Sequence, residues 1–368
     1  MRTNLVRALL AALAVPVALA VGASEGHAQL GPNVEVSAFV DVYYGYSFNK
    51  GDPELRTFDV AHNAFSLSYA EIALEKVPSA NSRVGGRLDL GFGTTADIVG
   101  SAEPGGTASD EIYKHIQQGY LSWLASDNLT LDVGKFVTSH GAEVIESQDN
   151  WNYSRSILFG FAIPFYHTGV RATYAASEQL SLAGYLVNGW NNTFETNSDK
   201  TFAASAAVTP NDQLTWNATF MVGKEDDEDG DGEEDMRWLF DTTVSYAVSD
   251  ILTLMGNFDY GKASDRIATD EAGTWWGIAA YARYLARPDW ALAGRFEYVD
   301  DSESDFFMGI GMKAQSFTAT SDHTVANDLI ARFEFRFDTT ENDFFVDSDG
   351  DPSQNQASLT AGLVYNFN

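Results

Sequence analysis

The sequence predicts an all-β protein, an antiparallel up-and-down transmembrane β-barrel of about 16 strands, or roughly 14–18. Three observations predict it. Apolar and polar residues alternate with period two in segment after segment from residue 34 onward. Short turns and long loops alternate between these segments. After residue 28, no run of about 18 apolar residues occurs, so the chain would cross a membrane as strands rather than helices.

The bulk composition narrows the functional classes. A formal charge of -30, from 52 acidic and 22 basic residues, argues against nucleic acid or an anionic membrane surface as a partner. The absence of cysteine excludes disulfides, thiolate metal sites and cysteine nucleophiles. No linker-like stretch follows residue 33, so residues 29–368 are expected to form one domain.

The N-terminus has the pattern of an export signal. Arg2 and Arg7 precede an apolar run over residues 8–23, and residues 26–28 end in a small-residue cleavage site. We therefore expect a signal peptide at 1–28 and a mature chain that starts at Gln29. The alternative, a membrane anchor, is less compatible with the alanine-rich run.

The candidate strands begin with the clearest one. In residues 34–48, Val40 and its even-numbered neighbours form an apolar face, and Asp41 lies on the other. The next segment changes phase between Leu67 and Ile72, which predicts a bulge near Ala70. The complete set of candidate strands is 34–48, 61–76, 83–92, 113–124, 129–137, 165–176, 180–189, 201–208, 214–222, 237–247, 252–261, 274–285, 290–299, 314–323, 329–338 and 358–367.

The connections between these strands predict the topology. Short turns rich in Pro, Asn, Asp and Ser alternate with long loops along the whole chain, so that every second connection is long. Short periplasmic turns on one rim and long external loops on the other are typical of outer-membrane barrels. The long connections are 49–60, 99–112, 138–164, 190–200, 223–236, 262–273, 300–313 and 339–357.

Arginines recur on the polar face of the strands. A charge on the lipid-facing side near the bilayer midplane costs about 2–4 kcal/mol, so these side chains should face a water-filled lumen. Around Arg332, for example, the neighbours Ala331 and Phe333 belong to the opposite phase. The candidate pore-wall residues are Arg83, Arg87, Arg171, Arg295, Arg332 and Arg336.

The longest connection is the candidate for a pore constriction. We expect residues 139–164 to fold into the lumen, because loops of this length in compact proteins are usually functional or disordered. Carboxylates on such a loop, facing a row of arginines on the wall, would filter solutes by size and charge. The candidate constriction residues are Glu143, Glu146, Asp149 and Arg155. The alternative is that these charges are merely solvated.

Two acidic stretches are candidate metal sites. Residues 225–235 contain nine acidic residues among eleven, and Asp227 begins a pattern similar to the first half of a calcium loop. Position 12 of that pattern is Trp238 rather than glutamate, so a solvated external loop is the alternative to weak Ca²⁺ or Mg²⁺ binding. The candidate ligands are Asp227, Asp229, Asp231, Asp347, Asp349 and Asp351.

Several segments resemble the OmpL-like family of outer-membrane β-barrel porins. They are GKFVTSHGAEVIES (134–147), NWNYSRSILFGFAIPFYHTGVRATY (150–174), HNAFSLSYAEIALEK (62–76), IQQGYLSWLA (116–125) and FEFRFD (333–338). The resemblance covers essentially the whole mature chain. It implies a Gram-negative outer-membrane location with contacts to lipid and lipopolysaccharide, and a pore for small hydrophilic solutes or ions. Similar porins also imply a homotrimer.

The last strand carries a further signal. Leu359, Leu363, Tyr365 and Phe367 share one phase up to the C-terminus, which is typical of strands read by the barrel-assembly machinery, although Asn368 follows the final aromatic residue. We therefore expect a passive diffusion channel that requires no cofactor. The open alternatives are a soluble β-sandwich, a structural or adhesive barrel whose loops fill the lumen, and a lipid-modifying enzyme with a Ser/His pair on its lipid-facing wall. Its candidate histidines, His62, His115, His140, His167 and His323, have no serine partner that their spacing identifies.

Overall fold

The computed structural model describes residues 33–103, 113–225, 236–264, 272–304, 306–307 and 311–367. The predicted signal peptide at 1–28 lies outside these residues. Within the described part, sixteen strands close into one antiparallel barrel, which confirms the predicted fold class and strand number. The barrel strands are β1 (Glu35–Ser47), β2 (Ala64–Lys76), β3 (Val84–Phe92), β4 (Ile116–Ser126), β5 (Leu129–Val137), β6 (Tyr166–Ala175), β7 (Leu180–Val187), β8 (Thr201–Asn211), β9 (Leu214–Lys224), β10 (Met236–Ser249), β11 (Leu252–Ala263), β12 (Gly273–Arg287), β13 (Trp290–Asp300), β14 (Lys313–Ala326), β15 (Leu329–Thr340) and, after a separate hairpin of β16 (Phe345–Val346) and β17 (Pro352–Ser353), β18 (Asn355–Asn366).

Each barrel strand pairs with its neighbour in the chain, and the last strand closes the ring. β18 pairs with β15 on one side, where Leu359 lies opposite Phe335. On its other side it pairs with β1, where Leu363 lies opposite Val42. Because every strand has two partners, no unpaired sheet edge meets the lipid.

The connections alternate in length as the sequence predicts. Seven short ones define the turn end of the barrel: 77–83, 127–128, 176–179, 212–213, 250–251, 288–289 and 327–328. Eight long ones define the loop end: 48–63, 93–115, 138–165, 188–200, 225–235, 264–272, 301–312 and 341–354. The second long connection contains helix α1 (Thr94–Ser101). In the described part of the chain, no helix has the length and apolar character needed to cross a membrane.

The two faces of the barrel follow the predicted alternation. On β15, Phe333, Phe335 and Phe337 are 38–55% exposed on the outer surface, whereas Arg332 and Arg336 are 1% exposed inside. The predicted change of phase in β2 is also present, because the consecutive residues Ser68 and Tyr69 are both buried and Phe65 is 89% exposed. The outer surface is thus apolar along the middle of the strands, where the charged groups point inward.

The interior of the barrel is largely filled. An apolar cluster inside it combines wall residues such as Leu239 and Val299 with residues from the long connections, including Leu55, Val99 and Phe159. A 16-strand barrel encloses more space than its own side chains fill, so segments from the loop end occupy the remainder.

Candidate functional site: an inner loop and a cavity in the lumen

Residues 138–165, here called the inner loop, lie inside the barrel. The amides of Tyr153 and Ser154 donate to the carboxylate of Glu334 on β15, and the Tyr153 hydroxyl donates to Asp41 on β1 at 2.9 Å. A short 3-10 turn (Ser147–Asp149) and a single π-helical turn (Leu158–Ala162) form within the loop. Because its partners face inward from strands on one side of the barrel, the loop is attached to that side.

Three arginines, the anchoring arginines Arg295, Arg332 and Arg336, attach the inner loop to the wall. Arg295 donates to Glu143 at 2.7 Å and to the Ser154 carbonyl at 2.6 Å. Arg332 donates to three loop carbonyls at 2.8–3.2 Å, and Arg336 donates to one at 2.7 Å. Each anchoring arginine is 1% exposed and also pairs with a wall carboxylate, as buried charges require.

Glu143 and Arg155, two of the predicted constriction residues, serve the internal structure of the loop. Glu143 is buried between Arg295 and the amide of Ser156, which donates to it at 2.6 Å. Arg155 donates to the carbonyls of Val144 and Ile145 at 2.9 and 2.6 Å. Neither charge lies on an open surface, because both side chains are fully engaged in hydrogen bonds and ion pairs that hold the loop in shape.

The other side of the barrel carries arginines of a different kind. Arg87 on β3 pairs with Asp89 at 2.9 Å and with Glu75 at 3.3 Å, and Arg171 on β6 pairs with Asp132 at 2.8 Å. Their side chains are 29% and 22% exposed. Neither has a hydrogen bond to the inner loop among the residues that the structure describes, so these two arginines line space rather than fill it.

Arg83, predicted as a wall residue, lies in the short connection before β3. It donates to the Leu124 carbonyl at 2.8 Å and pairs with Asp127 of the neighbouring turn at 3.3 Å. The alternation of β3 places it in the inward phase, but the strand begins only at Val84. Arg83 is therefore a rim residue at the turn end, not part of the wall.

A cavity of about 550 Å³ lies on the turn side of the inner loop. Residues near strand ends, such as Ser37, Ile330 and Asn366, place it toward the short turns. Its charged and amide lining comes from the inner loop and from β2, β3 and β4. These lining residues are Glu71, Arg87, Gln118, Glu146, Gln148 and Asp149.

The cavity combines three predicted site residues, Arg87, Glu146 and Asp149, with three that were not among the candidates, Glu71, Gln118 and the inner-loop residue Gln148. Glu71 and Gln118 are lumen residues of β2 and β4. Because Ile72 and Leu74 belong to the outward phase, the sequence alternation already placed Glu71 in the lumen. Burial in the lumen raises the pKa of Glu146, to which Asp89 and Asp149 add, and burial also raises the pKa of Asp149. Protonation of these two carboxyl groups therefore begins at a higher pH than for exposed carboxylates.

An aromatic cluster lies inside the barrel near the loop end of β12. Trp275 stacks on Phe306 with ring centres 4.0 Å apart, and Trp190 packs edge-on against both. The Trp275 indole donates to the Ala162 carbonyl of the inner loop at 3.2 Å, and the Arg237 guanidinium lies 4.8 Å from the Phe306 ring. This part of the lumen is packed like a protein core.

The structure identifies one Ser/His pair on the outer wall that spacing did not single out. The Ser321 hydroxyl lies 3.0 Å from Nε2 of His323, and it accepts the indole N–H of Trp290 at 2.9 Å. Among the described residues, none hydrogen-bonds Nδ1 of His323, which a catalytic histidine needs for orientation. His323 instead stacks on Trp290, as in the aromatic girdle of a membrane barrel.

The two acidic external segments were the candidate metal sites. Asp227, Asp229 and Asp231 lie outside the described residues. The amides of Asp349 and Asp351 donate to the Asp347 carboxylate at 2.8 and 3.0 Å, and these bonds lower its pKa. In the described segments, no group of three His, Cys, Asp or Glu side chains is placed to hold a metal ion.

A closed, lipid-compatible barrel with an inward-folded loop and a polar cavity defines an outer-membrane barrel of the porin type. Residues 33–367 match the model of a family described as "Putative beta-barrel porin-2, OmpL-like". The chain belongs to this family, as its sequence segments indicated, and it is a protein of the bacterial outer membrane.

Solved structures of similar fold are outer-membrane proteins of Gram-negative bacteria. The outer membrane channel DcaP of Acinetobacter baumannii superposes with a TM-score of 0.59 at 16% identity, covering 91% of this chain and 97% of that one. An anion-selective porin from Comamonas acidovorans gives a TM-score of 0.63 at 10% identity, covering 91% and 99%. OmpT of Vibrio cholerae gives 0.59 at 10% identity, covering 91% and 97%. No curated protein sequence matches the chain significantly.

Proposed function

We propose that this protein is a passive channel for small hydrophilic solutes or ions, and that they pass along the wall formed by β2, β3 and β4. The observation that carries the proposal is the charged cavity between the inner loop and the strands that hold Glu71, Arg87 and Gln118. The inner loop fills the lumen beside β13 and β15 through buried contacts, whereas Arg87 on β3 and Arg171 on β6 keep partly exposed side chains. Passive diffusion needs no cofactor and no catalytic group.

The lining charges favour cations over anions. Two inner-loop carboxylates, Glu146 and Asp149, line the cavity with a single arginine, Arg87, and that arginine is already paired with Asp89 and Glu75. Carboxylates in a narrow low-dielectric passage raise the local concentration of cations. The anion selectivity of a porin with a similar fold does not argue against cation preference here, because the charges that line a barrel vary independently of its fold.

Planar-bilayer recording of the refolded mature chain tests the proposal. We expect stepwise currents and, under a KCl gradient, a reversal potential of the sign that indicates cation preference. The variant Glu146→Gln/Asp149→Asn should shift that potential toward zero. The matched control is Asp347→Asn/Asp349→Asn, which removes two carboxylates from an external loop and should leave the potential unchanged. Equal potentials in all three proteins would remove Glu146 and Asp149 from the mechanism.

A barrel without an open pore is the second candidate, and the apolar packing around Trp190, Trp275 and Phe306 favours it. Such a protein would act as a structural or adhesive element through its external loops. It would give no conductance steps when folding has been verified by its heat-modifiable mobility on a gel. Stepwise currents from the same preparation would exclude it.

The surroundings of the barrel belong to the same proposal. The exposed outer residues, such as Phe65 and Phe333, would contact the lipid tails, with lipopolysaccharide at the loop end. The alternating last strand, which ends near Phe367, would be the segment read by the barrel-assembly machinery. A homotrimer is the assembly we expect by analogy with similar porins, and cross-linking in native membranes tests it.

A further inference from the structure

Two aspartates on the inner face of the barrel, Asp241 on β10 and Asp259 on β11, lie directly opposite each other in the strand register. Both are 0% exposed. Each carboxyl group is within hydrogen-bonding reach of the other and of Asn257. Two like charges in directly opposed positions repel each other, and burial removes the water that would screen them.

Other buried carboxylates of this lumen either pair with arginine or accept hydrogen bonds from amides and hydroxyls, as Glu334 does from the amides of Tyr153 and Ser154. Glu143 pairs with Arg295 at 2.7 Å, and Asp338 pairs with Arg336 at 2.7 Å. For Asp241 and Asp259, the described part of the chain contains no Lys, Arg or His within ion-pair distance. Within the described residues, Asp241 and Asp259 are thus two adjacent buried acids that share one side-chain donor, Asn257, and have no arginine partner.

Three carboxylate oxygens of the pair accept no hydrogen bond from a donor in the described residues. They are Oδ1 of Asp241 and both Oδ1 and Oδ2 of Asp259. The fourth oxygen, Oδ2 of Asp241, accepts Nδ2 of Asn257 at 2.8 Å. A single proton shared between the carboxyl groups would satisfy at most two of the three free oxygens, whereas one cation can contact all three.

The base of the inner loop covers the pair. The amide of Ala142 donates to Oδ1 of Asn257 at 3.2 Å. Thr219, the cross-strand neighbour of Asp241 on β9, donates to the carbonyl of Ser139 at 3.3 Å. A charge bound between the aspartates would therefore be enclosed by strands β9 to β11 on one side and by residues 139–142 on the other.

We propose that Asp241 and Asp259 bind one hard cation of the Ca²⁺ or Mg²⁺ class, which fixes the base of the inner loop to β10 and β11. Such ions prefer carboxylate, carbonyl and water oxygens. The free carboxylate oxygens supply the protein ligands, and water or backbone carbonyls complete the shell. Because no third His, Cys, Asp or Glu side chain converges here in the described segments, a transition metal that requires nitrogen or sulfur does not fit.

Calcium binding and thermal stability of the full mature chain in detergent micelles test this inference. After treatment with EDTA and gel filtration, each protein is titrated with CaCl₂ against NaCl of equal ionic strength. We expect the unmodified chain to bind one calcium ion that Asp241→Asn/Asp259→Asn lacks, and to gain several degrees in melting temperature that the variant does not gain. In EDTA the variant should melt at or above the unmodified chain, because the repulsion is gone.

The control variant Asp347→Asn/Asp349→Asn removes acidic groups at the loop end and should keep both the calcium ion and the thermal shift. If the double variant at the pair does not fold, the single variant Asp259→Asn replaces it, and the same loss of calcium is expected. A melting temperature that calcium leaves unchanged in the unmodified chain, or raises equally in the variant, would overturn the inference. The test is independent of conductance, so its result does not depend on the proposed channel function.

Discussion

The two sides of the lumen use the same residue type for opposite purposes. Arg332 on β15 is buried and donates five hydrogen bonds, three of them to carbonyls of the inner loop. Arg171 on β6 pairs with Asp132 of the adjacent strand and retains 22% exposure. Both residues alternate with apolar neighbours in the same way. The comparison of Arg332 with Arg171 shows that an inward-facing arginine either holds the inner loop in place or lines the space beside it, depending on where the loop packs.

The largest expected effect comes from removing an anchoring arginine. Arg332→Met keeps much of the side-chain volume but leaves Asp322 and three loop carbonyls without their donor. Removing one partner from a buried ion pair costs about 3–5 kcal/mol, and we expect a loss of unfolding free energy in that range. Urea unfolding of the folded chain in liposomes measures it.

Arg171→Met is the matched control for that variant, because the same substitution acts on the opposite side. Its ion pair is partly exposed, so the expected loss is about 1 kcal/mol. Limited proteolysis should cut the inner loop faster in Arg332→Met and at an unchanged rate in Arg171→Met. Equal losses of unfolding free energy in Arg332→Met and Arg171→Met would contradict the view that only the first arginine anchors the inner loop.

A smaller effect is expected from Glu143→Gln, which removes the loop's only carboxylate partner for Arg295 in the described contacts. The amide can still accept a hydrogen bond, and Arg295 retains the carbonyl of Ser154 at 2.6 Å. A hydrogen bond to a charged group contributes about 1.5–3 kcal/mol, so we expect a loss near the lower end of that range. The measurement is urea unfolding in liposomes, and a loss as large as that of Arg332→Met would contradict the prediction.

On the exposed side of the lumen, the expected effect is a change of ion preference with pH rather than a loss of stability. The pKa values of Glu146 and Asp149 are raised, so these carboxylates become neutral as the pH falls, before exposed carboxylates near pH 4 do. We expect cation preference to be complete at alkaline pH and to decline on acidification, starting above the ordinary carboxylate range. Reversal potentials recorded at stepped pH values measure it.

The variant Glu146→Gln/Asp149→Asn is the control for this titration. Its reversal potential should change little over the interval in which that of the unmodified chain declines. A decline of the same size in the variant would assign the titration to other groups, such as Glu71.

The sequence predicted the outer surface and the topology because lipid imposes a strict rule on every strand. Phe333, Phe335 and Phe337 must alternate with Glu334 and Arg336, and the rule needs no knowledge of distant residues. Strand ends were less accurate where the backbone leaves the ladder. The fourth predicted strand began at residue 113, but residues Tyr113–His115 form a 3-10 turn and β4 begins at Ile116.

The interior could be predicted only in part, because its contacts join residues far apart in the chain. Alternation placed Arg295 and Arg171 on one face, but only the fold shows that Arg295 contacts Ser154, 141 positions away. The grouping of Glu143 with Glu146 failed for the same reason. The two acids are three residues apart, but one faces the wall and the other faces the cavity.

The smallest expected effect is that of Arg83→Ala at the rim. Arg83 has a side-chain exposure of 39%, and its partner Asp127 has one of 86%, so water and salt screen their 3.3 Å ion pair. Exposed pairs contribute about 0–1 kcal/mol, and we expect a loss within that range that disappears in high salt. Conductance and ion preference should not change, because the side chain lies below the cavity lining. A clear shift in ion preference would place Arg83 in the solute path and extend the exposed side of the lumen to the turn end.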